Sequence, residues 1–171
     1  TGVVALLGGF NEVPVAKLPV IEVGQTHVGN EVSLRVDDIH LSSTAPVTDY
    51  DAPEGSRYLV IEATAENVTT SPNIFLRNAL RVIVEGAVSG NDGPYSVVDL
   101  RTGSGVPFLQ AGLPMRVAFL WEVDEAGVEP GDDIVVGIFE RYDFVDDPRF
   151  DDSKTAPVPV VRILDTIGGA R

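Results

Sequence analysis

The chain has no cysteine and only two histidines, so any chemistry must come from carboxylates, hydroxyls and turns. Without thiols there are no disulfides, thiolate zinc sites or cysteine nucleophiles, and the redox compartment stays open. A histidine pair binds a metal only where the fold makes the rings converge. His27 sits in a turn-like segment and His40 in the polar phase of a strand, and nothing in their spacing arranges convergence. Ser42, Ser43, Ser89 and Ser104 fall in loops, with no Gly-x-Ser-x-Gly elbow to raise one of them as a nucleophile. Gly103-Ser-Gly105 and Ser89-Gly-Asn-Asp-Gly93 read as turns, because neither opens a helix and the phosphate-binding lysine of a P-loop is missing. No catalytic constellation follows, and the expectation is a protein that is not an enzyme.

Acidic pairs are the richest feature: Asp49/Asp51, Asp124/Glu125, Asp132/Asp133, Asp146/Asp147 and Asp151/Asp152. Calcium takes six to eight oxygen ligands at a flexible site, which an Asp-rich loop at the end of a sandwich can supply. Asp146, Asp147, Asp151 and Asp152 come nearest, and they are the metal candidates; calcium is the one cofactor to consider, against the expectation of none. Their segment lacks an Asp-x-Asp-x-Asp-Gly loop, and Arg149 in its middle is a ready counter-charge. A solvated acidic loop that keeps the protein soluble is the simpler reading.

The positioning elements follow from composition and period. With 171 residues, 44% hydrophobic content and a mean hydropathy of +0.14, the chain is long and apolar enough for one folded domain. Its net charge of −14 and pI near 4.3 exclude nucleic acid as a primary ligand and disfavour anionic membrane surfaces. From Val32 the side chains alternate with the period of a half-buried strand, and the phase slips at Asp37 and Asp38, which predicts a β-bulge. Further strands are predicted over 57–70, 76–85, 95–100, 115–124, 134–144 and 158–164. In the clearest of them, Met115, Val117, Phe119, Trp121 and Val123 share one face, which makes Trp121 a core residue. The stretch 134–139 is apolar on both faces, as in a central or covered strand. Pro157 and Pro159 put the last strand at an edge.

All twelve prolines lie between or at the ends of these runs. No segment carries a capped helical stripe; Thr1 to Phe10 and a turn near 124–128 come closest. Seven or eight strands without helices indicate a sandwich or a barrel, most simply an antiparallel Greek-key sandwich. Asn67-Val68-Thr69 fits a glycosylation sequon, which matters only in a eukaryotic secretory pathway, and is read as a strand end.

Two stretches carry a resemblance. Tyr58-Leu-Val-Ile-Glu-Ala-Thr-Ala-Glu-Asn67, followed by Thr70-Ser-Pro72, and Gly112-Leu-Pro114 running into Phe119-Leu-Trp-Glu-Val-Asp124 resemble a family of bacterial extracytoplasmic immunoglobulin-like domains. That family includes uncharacterised lipoproteins and the small secreted immunogenic antigen of mycobacteria. Leu113-Pro114-Met115 stands where the family has Pro-Gly-Glu. The resemblance covers residues 31 to 144 and implies an all-β fold, an antiparallel immunoglobulin-like Greek-key β-sandwich of seven to nine strands, in an exported protein. It brings no agreed activity. The resemblance implies an actinobacterial source, and ten arginines against two lysines fit a GC-rich genome.

Domain organisation is expected as an apolar arm or linker over 1–23, a single sandwich over 24–166 and a short tail over 167–171. The run Val3 to Phe10 is too short to span a bilayer, and with the opening Thr1 it leads to the expectation of a membrane tether upstream. Apolar surface in the arm and at 134–139 exceeds what a minimal sandwich needs. The expected function is therefore a membrane-tethered accessory module of the bacterial cell envelope, docking on an envelope or membrane protein. One alternative is a lipid or glycan carrier, which predicts a cavity between the sheets lined by Leu80, Val117, Phe119 and Ile138. The other is calcium-dependent adhesion, which predicts a rise in melting temperature on adding calcium.

Overall fold

The structure is a computed structural model, and it describes residues 18–48, 50–71, 76–90, 93–106, 108–140 and 158–168. Nine strands make up its regular structure. They are β1 (Val20–Ile21), β2 (Thr26–Val28), β3 (Val32–Ser42), β4 (Ser56–Asn67), β5 (Leu80–Val84), β6 (Ser96–Asp99), β7 (Met115–Asp124), β8 (Asp133–Glu140) and β9 (Val158–Thr166). One sheet has the order β1-β9-β8-β5 and the other β2-β3-β4-β7-β6. All pairings are antiparallel except that of β1 with β9.

This connectivity is informative. β3, β4, β7 and β6 in one sheet, with β5, β8 and β9 in the other, reproduce the A-B-E-D and C-F-G orders of a constant-type immunoglobulin sandwich. β1 and β2 are additions at the rims. The usual inter-sheet disulfide is impossible here, since there is no cysteine. Its place in the energetics is taken by apolar packing. Phe119 and Trp121, neighbours on the inner face of β7, stack with centroids 6.4 Å apart inside the main core. Each large side chain buried in this way contributes about 1.5–3 kcal/mol.

The expected bulge is present between Val36 and Asp38. Val36 pairs with Ala63 and Ile39 with Ile61, and all four are buried in the core. Strict alternation would turn either Val36 or Ile39 outward. One extra residue lets both point inward and presents Asp37 and Asp38 together on the outer face.

β8 lies between β9 and β5, as its two apolar faces require: Ile134, Val136 and Ile138 enter the main core, while Val135 packs outside with Ile83 and Phe139. β9 corrects an expectation. It is not the outermost strand, because β1 pairs with Arg162 and Ile163 on its far side. Pro159 sits beyond that short pairing, opposite Phe139 where the β8–β9 register slips, so its missing donor disturbs no second ladder. The domain also reaches past the expected limits of 24 and 166. Ile21 and Val23, assigned to the arm, pack on the core, and Ile167, assigned to the tail, is inside it.

Candidate functional site

β4 and β7 carry apolar residues on their outward phase as well as their inward one. Val60, Ala118 and Leu120 point away from the main core, yet they are buried with Ala45, Tyr58 and Val98 in a second cluster. Water is kept from this outer face by the β3–β4 connection, which folds back over the sheet. Ser42 starts it, its hydroxyl donating to Thr44 O at 2.7 Å and accepting from Thr44 N at 3.2 Å. Thr44 and Asp51 then bridge, with Ala45 N donating to Tyr50 O and Ala52 N to Ser43 O. The connection is thus a small hairpin of its own.

The tip of this hairpin is held under strain. Val47 has φ 69°, a left-handed conformation that a β-branched residue adopts only at a cost of about 1–3 kcal/mol. The tip rests on the turn that follows β6. There Asp99 accepts from Arg101 N at 2.7 Å through Oδ1, and its carbonyl accepts from Gly103 N at 2.8 Å. Gly103 has φ +71°, and a Cβ on it would lie 2.5 Å from Thr48 Cγ2. Only glycine allows the two loops this approach.

Between these loops and the sheet lies a cleft of about 460 Å3. Tyr58 lies in its wall, 7% exposed, directly opposite Glu122 in the β4–β7 register. Tyr50 and Tyr95 flank it, 73% and 64% exposed, and Thr48, Asp51 and Ser96 add to its polar lining. Among the described residues, no Lys, Arg or His lines it. Burial pushes the Tyr58 hydroxyl above its ordinary pKa, and Tyr95, Glu122 and Asp51 push it the same way. Two carboxylates and three phenols therefore surround a partly desolvated space, an arrangement suited to binding.

A second group lies further along the same face. Asp38, His40 and Glu62 bring ligand atoms within 4.8 Å of one another, and these residues could hold a divalent cation. The bulge and the cross-strand pairing of Asp38 with Glu62 assemble them. Their charges already have protein partners: His40 Nδ1 is 2.8 Å from Asp38 Oδ2, and Arg116 donates to Glu62 at 3.1 Å. Next to them, Arg35 donates to Asp37 at 2.5 Å, and Thr64 donates to the same carboxylate at 2.7 Å. This is a closed network on the sheet surface.

The structure does not bring the two histidines together. His40 pairs with Asp38 and His27 with Glu140, and among the described residues neither hydrogen-bonds a serine. Asp124 and Asp132 accept from Ala126 N and Glu129 N, so these acidic pairs cap turns. Asp146, Asp147, Asp151 and Asp152 lie outside the described residues. Leu80, Val117, Phe119 and Ile138, expected to line an inter-sheet cavity, are packed into the core, and none lines the cleft. Asn67 ends β4 and is fully buried; its amide donates to Ser71 O and Leu109 O and accepts from Thr69, so in the folded chain it is committed to the strand end.

Sequence reasoning missed the tyrosines. Its available signal was the apolar outward phase of Val60, Ala118 and Leu120, which requires a covering loop and hence a cleft at that loop's margin.

No protein-family profile matches the chain, and no curated protein matches it in sequence. Solved structures do. An uncharacterized beta-sandwich protein from Clostridium difficile superposes with a TM-score of 0.52 at 14% identity, covering 88% of this chain and 94% of its own. A candidate lipoprotein from Bacillus subtilis gives 0.44 at 11% identity, covering 85% of this chain and 39% of its own. A candidate lipoprotein from Staphylococcus aureus gives 0.47 at 7% identity, with coverages of 88% and 95%. The first of these likenesses shows the β-sandwich fold. The mycobacterial antigen of the sequence resemblance is not one of the three.

Proposed function

We propose that the protein is a non-catalytic binding module of the bacterial cell envelope, exported and tethered to the membrane, which engages a partner protein through the tyrosine cleft on the outer face of the β3-β4-β7-β6 sheet. The observation that carries this reading is the cleft itself. Tyr50 and Tyr95 are large aromatic side chains left exposed beside a partly buried polar floor, and aromatic residues in that setting supply most of the energy of protein interfaces. The strained Val47 and the Gly103 contact hold the rim in place before binding, which lowers the ordering cost of association. The exported location is supported by the family resemblance, and the tether by the apolar run Val3 to Phe10 followed by Pro14 and Pro19.

The test is site-specific photo-crosslinking of the full-length native protein in its own cells, with the reactive residue at Thr48 in the cleft wall or at Leu164 on the other sheet. A discrete protein adduct from position 48, absent from position 164 and lost when Tyr50 and Tyr95 are both alanine, is the expected result. Equal labelling at both positions, or labelling indifferent to the two tyrosines, would remove the cleft from the account.

A further inference from the structure

The cleft has a sign as well as a shape, and the inference drawn from it rests on the binding reading above. Asp51 and Glu122 bring two carboxylates to its wall, and among the described residues neither has an ion-pair partner. Glu122 accepts from Ser56 Oγ at 3.3 Å. The neighbouring arginines are engaged elsewhere: Arg57 pairs with Glu125 at 2.6 Å and Arg116 with Glu62 at 3.1 Å. Elsewhere on this sheet, by contrast, carboxylates such as Asp37 and Glu62 are matched by Arg35 and Arg116.

Three tyrosine rings around uncompensated carboxylates attract a cation, since the negative ring face and the carboxylate act in the same direction. The proton affinity of Tyr58 is raised first by burial and then, in the same direction, by Tyr95, Glu122 and Asp51. An anionic ligand would meet like charge there and find no cation to pair with. Among cations, a planar guanidinium fits best: it stacks on a tyrosine face while its fork of N–H donors reaches carboxylates on either side. The site is open, with Tyr50 and Tyr95 largely exposed at its rim, as suits a side chain presented on a protein surface. The net charge of −14 steers a basic partner toward it.

We propose that the cleft between Tyr50, Tyr58 and Tyr95 receives an arginine side chain of the partner protein, stacked on tyrosine and hydrogen-bonded to Asp51 and Glu122.

The experiment is a 15N-HSQC titration of the full chain with three probes: the blocked tripeptide Gly-Arg-Gly, the same peptide with neutral citrulline for arginine, and choline. The arginine peptide is expected to shift the signals of Tyr50, Tyr95, Ser96 and Gly105 saturably, and the citrulline peptide to bind about tenfold more weakly. Glu122→Gln and Asp51→Asn, both at exposed positions, should each weaken the arginine peptide several-fold with the rest of the spectrum unchanged. Equal binding of arginine and citrulline peptides, shifts scattered over the acidic surface, or indifference to both variants would overturn the proposal. Choline binding as well as arginine would replace the partner side chain by a free ammonium ligand. An absence of shifts in the cleft would overturn the arginine assignment while a position-48 crosslink still stood. Loss of that crosslink would instead defeat the binding reading itself.

Discussion

His27 Nε2 and Glu140 Oε1 lie 2.6 Å apart across 113 residues of sequence, and their contact ties the β2–β3 hairpin of one sheet to the end of β8 in the other. Both side chains are largely buried. Gly29 makes room for the carboxylate, since a Cβ there would run into it and come within 2.9 Å of Val32 O. The sandwich has no disulfide to join its sheets, and this rim contact is a polar link between them. Glu140→Ala is expected to cost about 1.5–3 kcal/mol, the range for a hydrogen bond involving a charged group. Urea unfolding measures it, and a change below about 0.5 kcal/mol would mean the rim is held by packing alone.

Tyr58 makes stability depend on pH at the alkaline end. Its hydroxyl is raised above the ordinary 10.0 by burial, then by Tyr95, Glu122 and Asp51. An acid with a raised folded pKa holds its proton more tightly folded than unfolded. Its contribution is complete below pH about 10 and is lost as pH rises through the folded value. Thermal melts between about pH 9 and 12 should show a falling midpoint, with a shallower fall in Tyr58→Phe. Absorbance titration at alkaline pH should show a late-ionising phenol in the parent that is missing from Tyr58→Phe. Identical slopes in the two proteins would place Tyr58 in contact with solvent.

The loop contact at Gly103 is expected to be intolerant. Gly103→Ala meets both a positive φ and Thr48 Cγ2 at 2.5 Å, so a loss of about 1–3 kcal/mol is expected, together with displacement of the 45–50 tip. Val47→Gly works in the other direction. It relieves a left-handed β-branched residue and should stabilise by up to about 1 kcal/mol after the entropy of glycine is subtracted, while weakening partner binding by loosening the rim. Calorimetry and the crosslink yield read the two effects separately, and a destabilised Val47→Gly would show that the tip depends on the valine side chain.

Asn67 is a structural asparagine. Replacing it by aspartate turns the two donated bonds, to Ser71 O at 2.6 Å and Leu109 O at 3.2 Å, into carboxylate–carbonyl repulsions in a fully buried site. A destabilisation of about 2–4 kcal/mol is expected, combining lost hydrogen bonds with an unpaired buried charge. If Asn67→Asp unfolded at the same urea concentration as the parent, the strand end would have to open readily to water.

The sequence by itself determined seven of the nine strands, β3 to β9, and their inward faces, whereas the short β1 and β2 were read as arm and turn. β7 has the limits that its alternation implies, Met115 to Asp124, because a period of two over ten residues leaves one face to bury. The bulge at Asp37 and Asp38 was equally determined, since Val36 and Ile39 both demand the core and only an inserted residue satisfies both. Prolines and glycines located the turns by the donors they lack and the φ they permit. The tertiary structure alone decided where those faces meet. Tyr50, Tyr58, Tyr95 and Glu122 come from separate segments, and they share a cleft because β4 registers Tyr58 against Glu122 and the β3–β4 hairpin folds over the outer face. Asp38, His40 and Glu62 likewise meet through strand register, and His27 finds Glu140 only because two sheets stack. Alternation reports whether a side chain points in or out; which side chains then become neighbours depends on pairings between distant parts of the chain, and periodicity carries no record of those.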